Sequence, residues 1–270
     1  MNAAQRLHTL ARRTCMARFD HWARTYGELA QAGGDRNGFD YTDEAYATFP
    51  RYNVLQAVLD GVEALDADAL PPLETLRDLL IEAATTASSS LTIPAENPSS
   101  RRAMAEEREI LAKIFRTVGE PELAEVEPLF FRRVLSPDET QSWRLTIETA
   151  WGAGDDYWYP LGHKTHPSLV ALDLEDLDQE ALQRRMRRFF ADNGAERIIE
   201  LREDGVSYAL QADAAELAYT GAEGFWTSVA GDWIVYCSHE GTITFGGVMA
   251  DELGPEYQAK LWSPHGRSAQ

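Results

Sequence analysis

Residues 224–247 read GFWTSVAGDWIVYCSHEGTITFGG, and this stretch decides the fold class. From Trp233 the chain alternates. Trp233, Val235 and Cys237 project to one side of a strand, and Ile234, Tyr236 and Ser238 to the other. Ser238-His239-Glu240-Gly241 is polar and ends in glycine, so it reads as a tight turn. Thr242-Ile243-Thr244-Phe245 then returns. The expectation is a β-hairpin with a chemically loaded turn. Trp233, Val235 and Cys237 form its core face, and Gly231, Gly246 and Gly247 mark turns.

Upstream, the pattern mixes short strands with helices. Residues 129–135 (LFFRRVL), 168–172, 197–202 and 206–210 are strand candidates, the last two flanking the Asp204-Gly205 hairpin signal. Ser136-Pro137-Asp138-Glu139 is a capping box with proline at the first helical position. It opens a helix that places Trp143, Ile147 and Trp151 on one face. Residues 178–193 form a second helix, with Leu182, Met186, Phe189 and Phe190 inward. Residues 213–219 and 251–262 are read as further helices. Strict alternation of strand and helix is missing and hairpins dominate the end, so the class is α+β with a mostly antiparallel sheet.

The first 120 residues carry helical periodicity instead. Leu7, Leu10, Cys15, Phe19, Trp22, Tyr26 and Leu29 follow one stripe of a helix over residues 5–30. Arg12, Arg13, Arg18 and Arg24 fall on its remaining surface. That face suits a bundle helix with a solvated side, a membrane-surface helix, or a scaffold that oligomerises through residues 5–30. Further helices are expected over residues 53–65, after Pro71-Pro72, and over residues 100–118, where Gly119 and Pro121 stop the chain. The polar stretch 85–100 reads as a connection. The domain plan is a helical bundle over 1–120, an α+β domain over 121–262 and a disordered tail over 263–270.

Composition narrows the function. The chain has 270 residues, 44 acidic and 25 basic side chains, and a net charge of −19. Residues 126–270 contribute 12 basic and 24 acidic groups. Such a chain repels a polyanion, so nucleic acid is not an expected partner. The same charge can steer a basic protein partner. No stretch has the apolar length of a transmembrane helix, and the N-terminus lacks a signal-peptide core, so the expected location is the cytoplasm. Only Lys113, Lys164 and Lys260 are lysines, and this arginine bias resembles the composition of a GC-rich bacterial genome. Cys15 and Cys237 have no metal-ligand spacing and are read as two free thiols rather than a bridge.

Two stretches could carry chemistry. His239-Glu240 could do acid–base work, or could simply bond locally in a turn. Residues 155–167, DDYWYPLGHKTHP, combine the aromatics Tyr157, Trp158 and Tyr159 with Asp155, Asp156, His163 and His166. The aromatics could line a recognition surface, the polar groups could hold a metal, or the loop could merely cover a core. The candidate binding set is Tyr157, Trp158, Tyr159, His163, His166, Tyr236, His239 and Glu240. No catalytic residue, metal ligand or cofactor is assigned, because no phosphate loop, dinucleotide fingerprint or nucleophile elbow is present. Arg184, Arg185, Arg187 and Arg188 form a basic run, expected to pair with Glu175, Asp176, Asp178 and Glu180 or else to make an anion site.

The pattern Trp233-x-x-Tyr236-x-Ser238-His239-Glu240-x-x-Ile243-x-x-Gly246-Gly247 resembles a tail motif of uncharacterised bacterial proteins, some of which sit among toxin-immunity or SMI1/KNR4-like interaction modules. Phe49-Pro50-Arg51-Tyr52-Asn53 is similar to helical stretches of related bacterial chains. The resemblance implies a protein that neutralises or scaffolds a partner, and it implies no catalytic residue. The expected function is therefore a cytoplasmic protein-binding module for a basic partner, leaning away from enzyme activity. The alternative is a metal-assisted hydrolase assembled from Asp155, Asp156, His163, His166 and His239.

Overall fold

A computed structural model describes residues 1–32, 42–92, 97–154, 157–162, 168–175 and 177–257. The chain is α+β and divides into two compact units, residues 1–129 and 130–270.

The first unit is helical: α1 (Ala3–Ala32), α2 (Asp43–Glu63), α3 (Leu73–Thr86), α4 (Pro98–Thr117) and α5 (Glu120–Ala124). Leu7, Ala11 and Cys15 of α1 meet Leu55, Val58 and Val62 of α2, Leu76 and Leu80 of α3, and Leu111 and Phe115 of α4 in one apolar core. Helix α2 starts ten residues before the expected Asn53. Thr42 caps it, its hydroxyl accepting from the Ala45 N–H at 3.1 Å, and Asp43 and Glu44 occupy the first turn. Pro50 therefore sits inside a helix, where it removes a hydrogen bond at a cost of about 3 kcal/mol. Burial of Val54, Leu55, Val58 and Val62 against α1 and α4 offsets that cost. Helix α4 is capped by the Asn97 side chain, which accepts from the Ser99 and Ser100 N–H groups.

Gly119 and Pro121 do not end the unit. They introduce α5, and two arginines of α1 bind the chain at its last turn and beyond it. The Arg6 guanidinium donates to the carbonyls of Leu123 and Ala124, and that of Arg13 to Pro128. These bonds account for a division nine residues later than the pattern break suggests.

The helical stripe predicts that the arginines of α1 are solvated, and not all of them are. Arg12 is buried and pairs with the buried Glu63 at 2.8 Å. Arg18 donates twice to the buried Glu107, which also accepts from Arg51 and from the Trp22 indole. Arg13 and Arg24 are exposed. An apolar-stripe argument cannot find a buried cation whose partner lies on another helix.

The second unit is a seven-stranded antiparallel sheet in the order β1-β4-β3-β5-β6-β7-β2. The strands are β1 (Arg132–Val134), β2 (Leu169–Asp173), β3 (Arg197–Arg202), β4 (Tyr208–Gln211), β5 (Gly224–Ser228), β6 (Trp233–Cys237) and β7 (Thr242–Gly247). Helices α6 (Pro137–Trp151), α7 (Gln179–Asp192) and α8 (Val248–Leu253) accompany them. The expected hairpin is a three-stranded meander, because 224–228 is itself a strand paired with β6. Gly246 and Gly247 belong to β7 and are not a turn.

The alternation of β6 is as expected, and both of its faces are buried. Trp233, Val235 and Cys237 pack with Met186, Phe189 and Phe190 of α7 and with Met249 and Leu253 of α8. Ile234 and Tyr236 pack on the opposite face with Ile147 and Trp151 of α6, Trp158 and Phe225. Helices cover the central strands on both sides, which is why β6 reads as a nearly continuous apolar run.

Two helical expectations change. Residues 213–219 contain only part of a short 3-10 turn at Ala212–Ala214, and the last helix among the described residues is α8, starting before residue 251. Residues 258–270, including the expected tail, lie outside the described residues. Three of the four arginines of the α7 run are paired, with partly different acids: Arg184 with Glu180, Arg185 with Glu252 and Glu256, and Arg188 with Asp192.

Candidate functional site

The site follows from strand register. Arg202 of β3 faces Gly224 of β5, which faces Cys237 of β6. The residues just beyond this row are Glu203, Glu223 and the Ser238–Gly241 turn. They therefore gather at one end of the sheet. The Glu203 N–H donates to the Glu223 carbonyl at 2.9 Å, which fixes the two backbones together.

The turn itself is held by Ser238. Its hydroxyl bonds that of Thr242 at 2.8 Å, and its N–H donates to the Thr242 carbonyl at 3.0 Å. Gly241 adopts φ +71°, which lets the chain reverse. This geometry projects His239 back over the end of β5.

There it meets Glu223. The two are 2.5 Å apart, His239 Nδ1 to Glu223 Oε1, and the His239 N–H approaches the same oxygen at 3.3 Å. The other carboxylate oxygen of Glu223 accepts a short hydrogen bond from the Tyr236 hydroxyl. Glu223 is 6% exposed and Tyr236 is 1% exposed, so the carboxylate is a buried bridge between a phenol and an imidazole. His239 Nε2 lies 3.3 Å from Glu240 Oε1.

The electrostatics follow from this bridge. The Glu223 hydrogen bond raises the His239 pKa above its ordinary 6.5, and the charges of Glu223, Glu240 and Glu203 add to it. Burial raises the Tyr236 phenol above its usual range, and Glu223 reinforces that. Tyr236 is therefore a hydrogen-bond donor and not a base. A folded-state pKa raised above the unfolded value stabilises the fold at pH below the unfolded value, and that contribution fades as pH rises through the folded one. We expect the His239 ring signals in an NMR titration to shift at a pH above that of an unperturbed histidine. In Glu223→Gln the midpoint should fall back toward the ordinary value. An identical midpoint in the two proteins would show that the bridge does not form.

A cleft of about 260 Å³ opens beside the bridge. Glu203, Glu223, Phe225 and Tyr236 line it from the sheet, Arg144 from α6, and Tyr157 from the segment after α6. Phe225 and Tyr236 stack at 4.8 Å. Tyr157 is 58% exposed and its ring lies 5.4 Å from that of His239. The Arg144 guanidinium donates to the Arg202 carbonyl at 2.6 Å.

Of the residues singled out in the sequence, Tyr157, Tyr236, His239 and Glu240 come together here. Trp158 does not reach the surface. It is 1% exposed, its indole donates to the Trp151 carbonyl at 3.3 Å, and its ring meets the edges of Phe225 and Tyr236. Trp158 is the floor beneath the site. Tyr159 is half-buried, and its carbonyl accepts from the Thr244 hydroxyl at 2.7 Å, which ties the segment to β7. Asp155, Asp156, His163 and His166 lie outside the described residues. Among the described residues, no three His, Cys, Asp or Glu side chains are placed to hold a metal ion, and no helix is long and apolar enough to cross a membrane.

Sequence reasoning missed Glu223, Glu203 and Arg144. A signal for Glu223 existed. If 229–232 (VAGD) is taken as the turn of a β5–β6 hairpin, the register places residue 223 opposite 238. No known protein family, curated protein or solved structure matches this chain.

Proposed function

We propose that the chain is a protein-binding module, immunity-like and acting in the cytoplasm, that engages a basic partner through the surface around this cleft. The observation carrying the reading is Tyr157. It is a large aromatic side chain, exposed, and set beside the carboxylates of Glu203, Glu223 and Glu240. Tyrosines of this kind anchor interfaces, and flanking charge sets the encounter rate and excludes like-charged partners. Trp158 is buried and drops out as an anchor. The net charge of −19 supports a basic partner over a nucleic acid.

Affinity capture with the full chain, followed by titration of the purified partner, tests this. We expect one basic protein to bind, more weakly as salt rises, with Tyr157→Ala losing about tenfold or more in affinity. A partner whose affinity ignores both salt and Tyr157 would sink the reading.

The His239–Glu223 pair favours a second reading. A carboxylate-oriented imidazole at a cleft can carry protons in general acid–base catalysis. The metal-assisted version also needs Asp155, Asp156, His163 and His166 beside His239. Elemental analysis of the purified chain, together with turnover lost in His239→Gln, would favour it.

A further inference from the structure

We infer that the cleft is a receptor for a single cationic side chain, an arginine guanidinium of the partner. The inference rests on the binding-module reading and adds the chemistry of the inserted group. A volume of about 260 Å³ is below the range of about 300–1,000 Å³ typical of sites for drug-sized ligands. It suits the head of one side chain.

Its lining selects for positive charge with a flat face. Tyr157, Phe225 and Tyr236 bring three aromatic rings to the cleft, and Glu203 and Glu223 bring two carboxylates. Aromatic faces attract cations through their quadrupole, and arginine stacks on them while its planar fork pairs with a carboxylate. The two carboxylates do different work. Glu223 is buried and held by Tyr236 and His239, so it supplies a fixed negative charge at the back of the cleft. Glu203 is exposed, and no described side chain donates a hydrogen bond to it. Its charge acts on both Tyr236 and His239, so it sits close to the bridge, with its oxygens open to a ligand.

Two basic groups already stand here, and both are engaged. The Arg144 guanidinium holds the Arg202 carbonyl, and His239 lies between Glu223 and Glu240. With the third carboxylate counted, the negative groups outnumber the positive ones. A planar guanidinium entering between Tyr157 and Glu203 completes the balance. An ammonium could use the same charges, but it would forgo the stacking and the two-pronged bond.

Titration of the full chain with n-butylguanidinium, n-butylammonium and acetate, followed by NMR, tests the inference directly. We expect saturable binding of the guanidinium, weaker binding of the ammonium and none of acetate. Glu203→Gln and Tyr157→Ala should each weaken the guanidinium by roughly fivefold, the scale of one exposed cation–π or charge-assisted contact. Both residues are exposed, so neither variant threatens the fold. Val229→Ser, at the opposite end of β5, should change nothing. Binding of acetate in place of the cations, unsaturable guanidinium binding, or unchanged affinity in both variants would overturn the inference. Failure of the binding-module reading looks different: the guanidinium binds as expected, yet no basic protein is captured.

Discussion

Gly247→Ala should destabilise the sheet unit by about 3 kcal/mol or more, combining a strained backbone with an overpacked contact. Gly247 adopts φ +67° and ψ −145°, a region in effect reserved for glycine. A Cβ there would also fall inside the Asp232 carbonyl oxygen and 2.7 Å from the Trp151 ring. Neither obstacle is a flexible chain end. Asp232 is fixed because its carbonyl accepts from the Val248 N–H, and the Gly247 N–H in turn donates to Ser168 before β2. The residue thus spans the joint between β6, β7 and β2, and its bulk would push apart strands that carry the His239 turn. Gly194→Ala is the control. It shares the sign of φ, at +65°, but nothing lies within 4 Å of its Cβ. It should cost only the left-handed backbone term, about 1–2 kcal/mol. Urea unfolding followed by tryptophan fluorescence measures both. Equal losses would show that the close approach of Asp232 and Trp151 does not exist in solution.

The contrast between these glycines also shows what a sequence can reveal. Gly246-Gly247 suggested a turn because glycine pairs usually mark one. Here glycine answers to neighbours on other elements, Asp232, Ile234, Leu169 and the ring of Trp151, and no local pattern reports them. Signals that are local were legible. The Ser136–Glu139 capping box forms with both its bonds, at 3.2 and 2.8 Å. The alternation of β6 sorts its side chains into the two cores as expected. The missed elements depended on partners. Residues 224–228 are a strand because β3 and β6 flank them, while their composition of glycine, aromatics and small polar residues also fits a loop. The site was half legible for the same reason. Tyr157, Tyr236, His239 and Glu240 stood out by residue type. Glu223, the group that binds two of them, is an ordinary acid until register places it opposite the turn.

The helical unit has a comparable hidden dependency, and Glu63→Ala should expose it. Arg12 and Glu63 pair at 2.8 Å with side-chain exposures of 4% and 0%. Removing the acid leaves a buried cation uncompensated, which costs about 3–5 kcal/mol. Such a loss is a large fraction of the roughly 5–15 kcal/mol that holds a domain together. The surroundings offer little relief. His8 is buried, its pKa lowered by burial and also by the Arg12 charge, and since its ionised form is itself a cation it offers no counter-charge. Cys15 is pushed up to about 12 by burial, with Glu63 adding to the shift, so it remains a neutral thiol at ordinary pH. Arg12 would then have to drag water into the core of α1 and α2 or leave it. The double variant Arg12→Leu with Glu63→Leu separates charge from packing. Replacing a buried pair by apolar side chains is often neutral or stabilising, so it should recover most of the loss. Urea unfolding followed by far-UV circular dichroism would read all three proteins. A Glu63→Ala loss below about 1 kcal/mol, the scale of an exposed pair, would place Arg12 in solvent and overturn the buried bridge. A double variant as unstable as the single one would assign the effect to shape, because both charges are then gone and only the fit of the side chains differs.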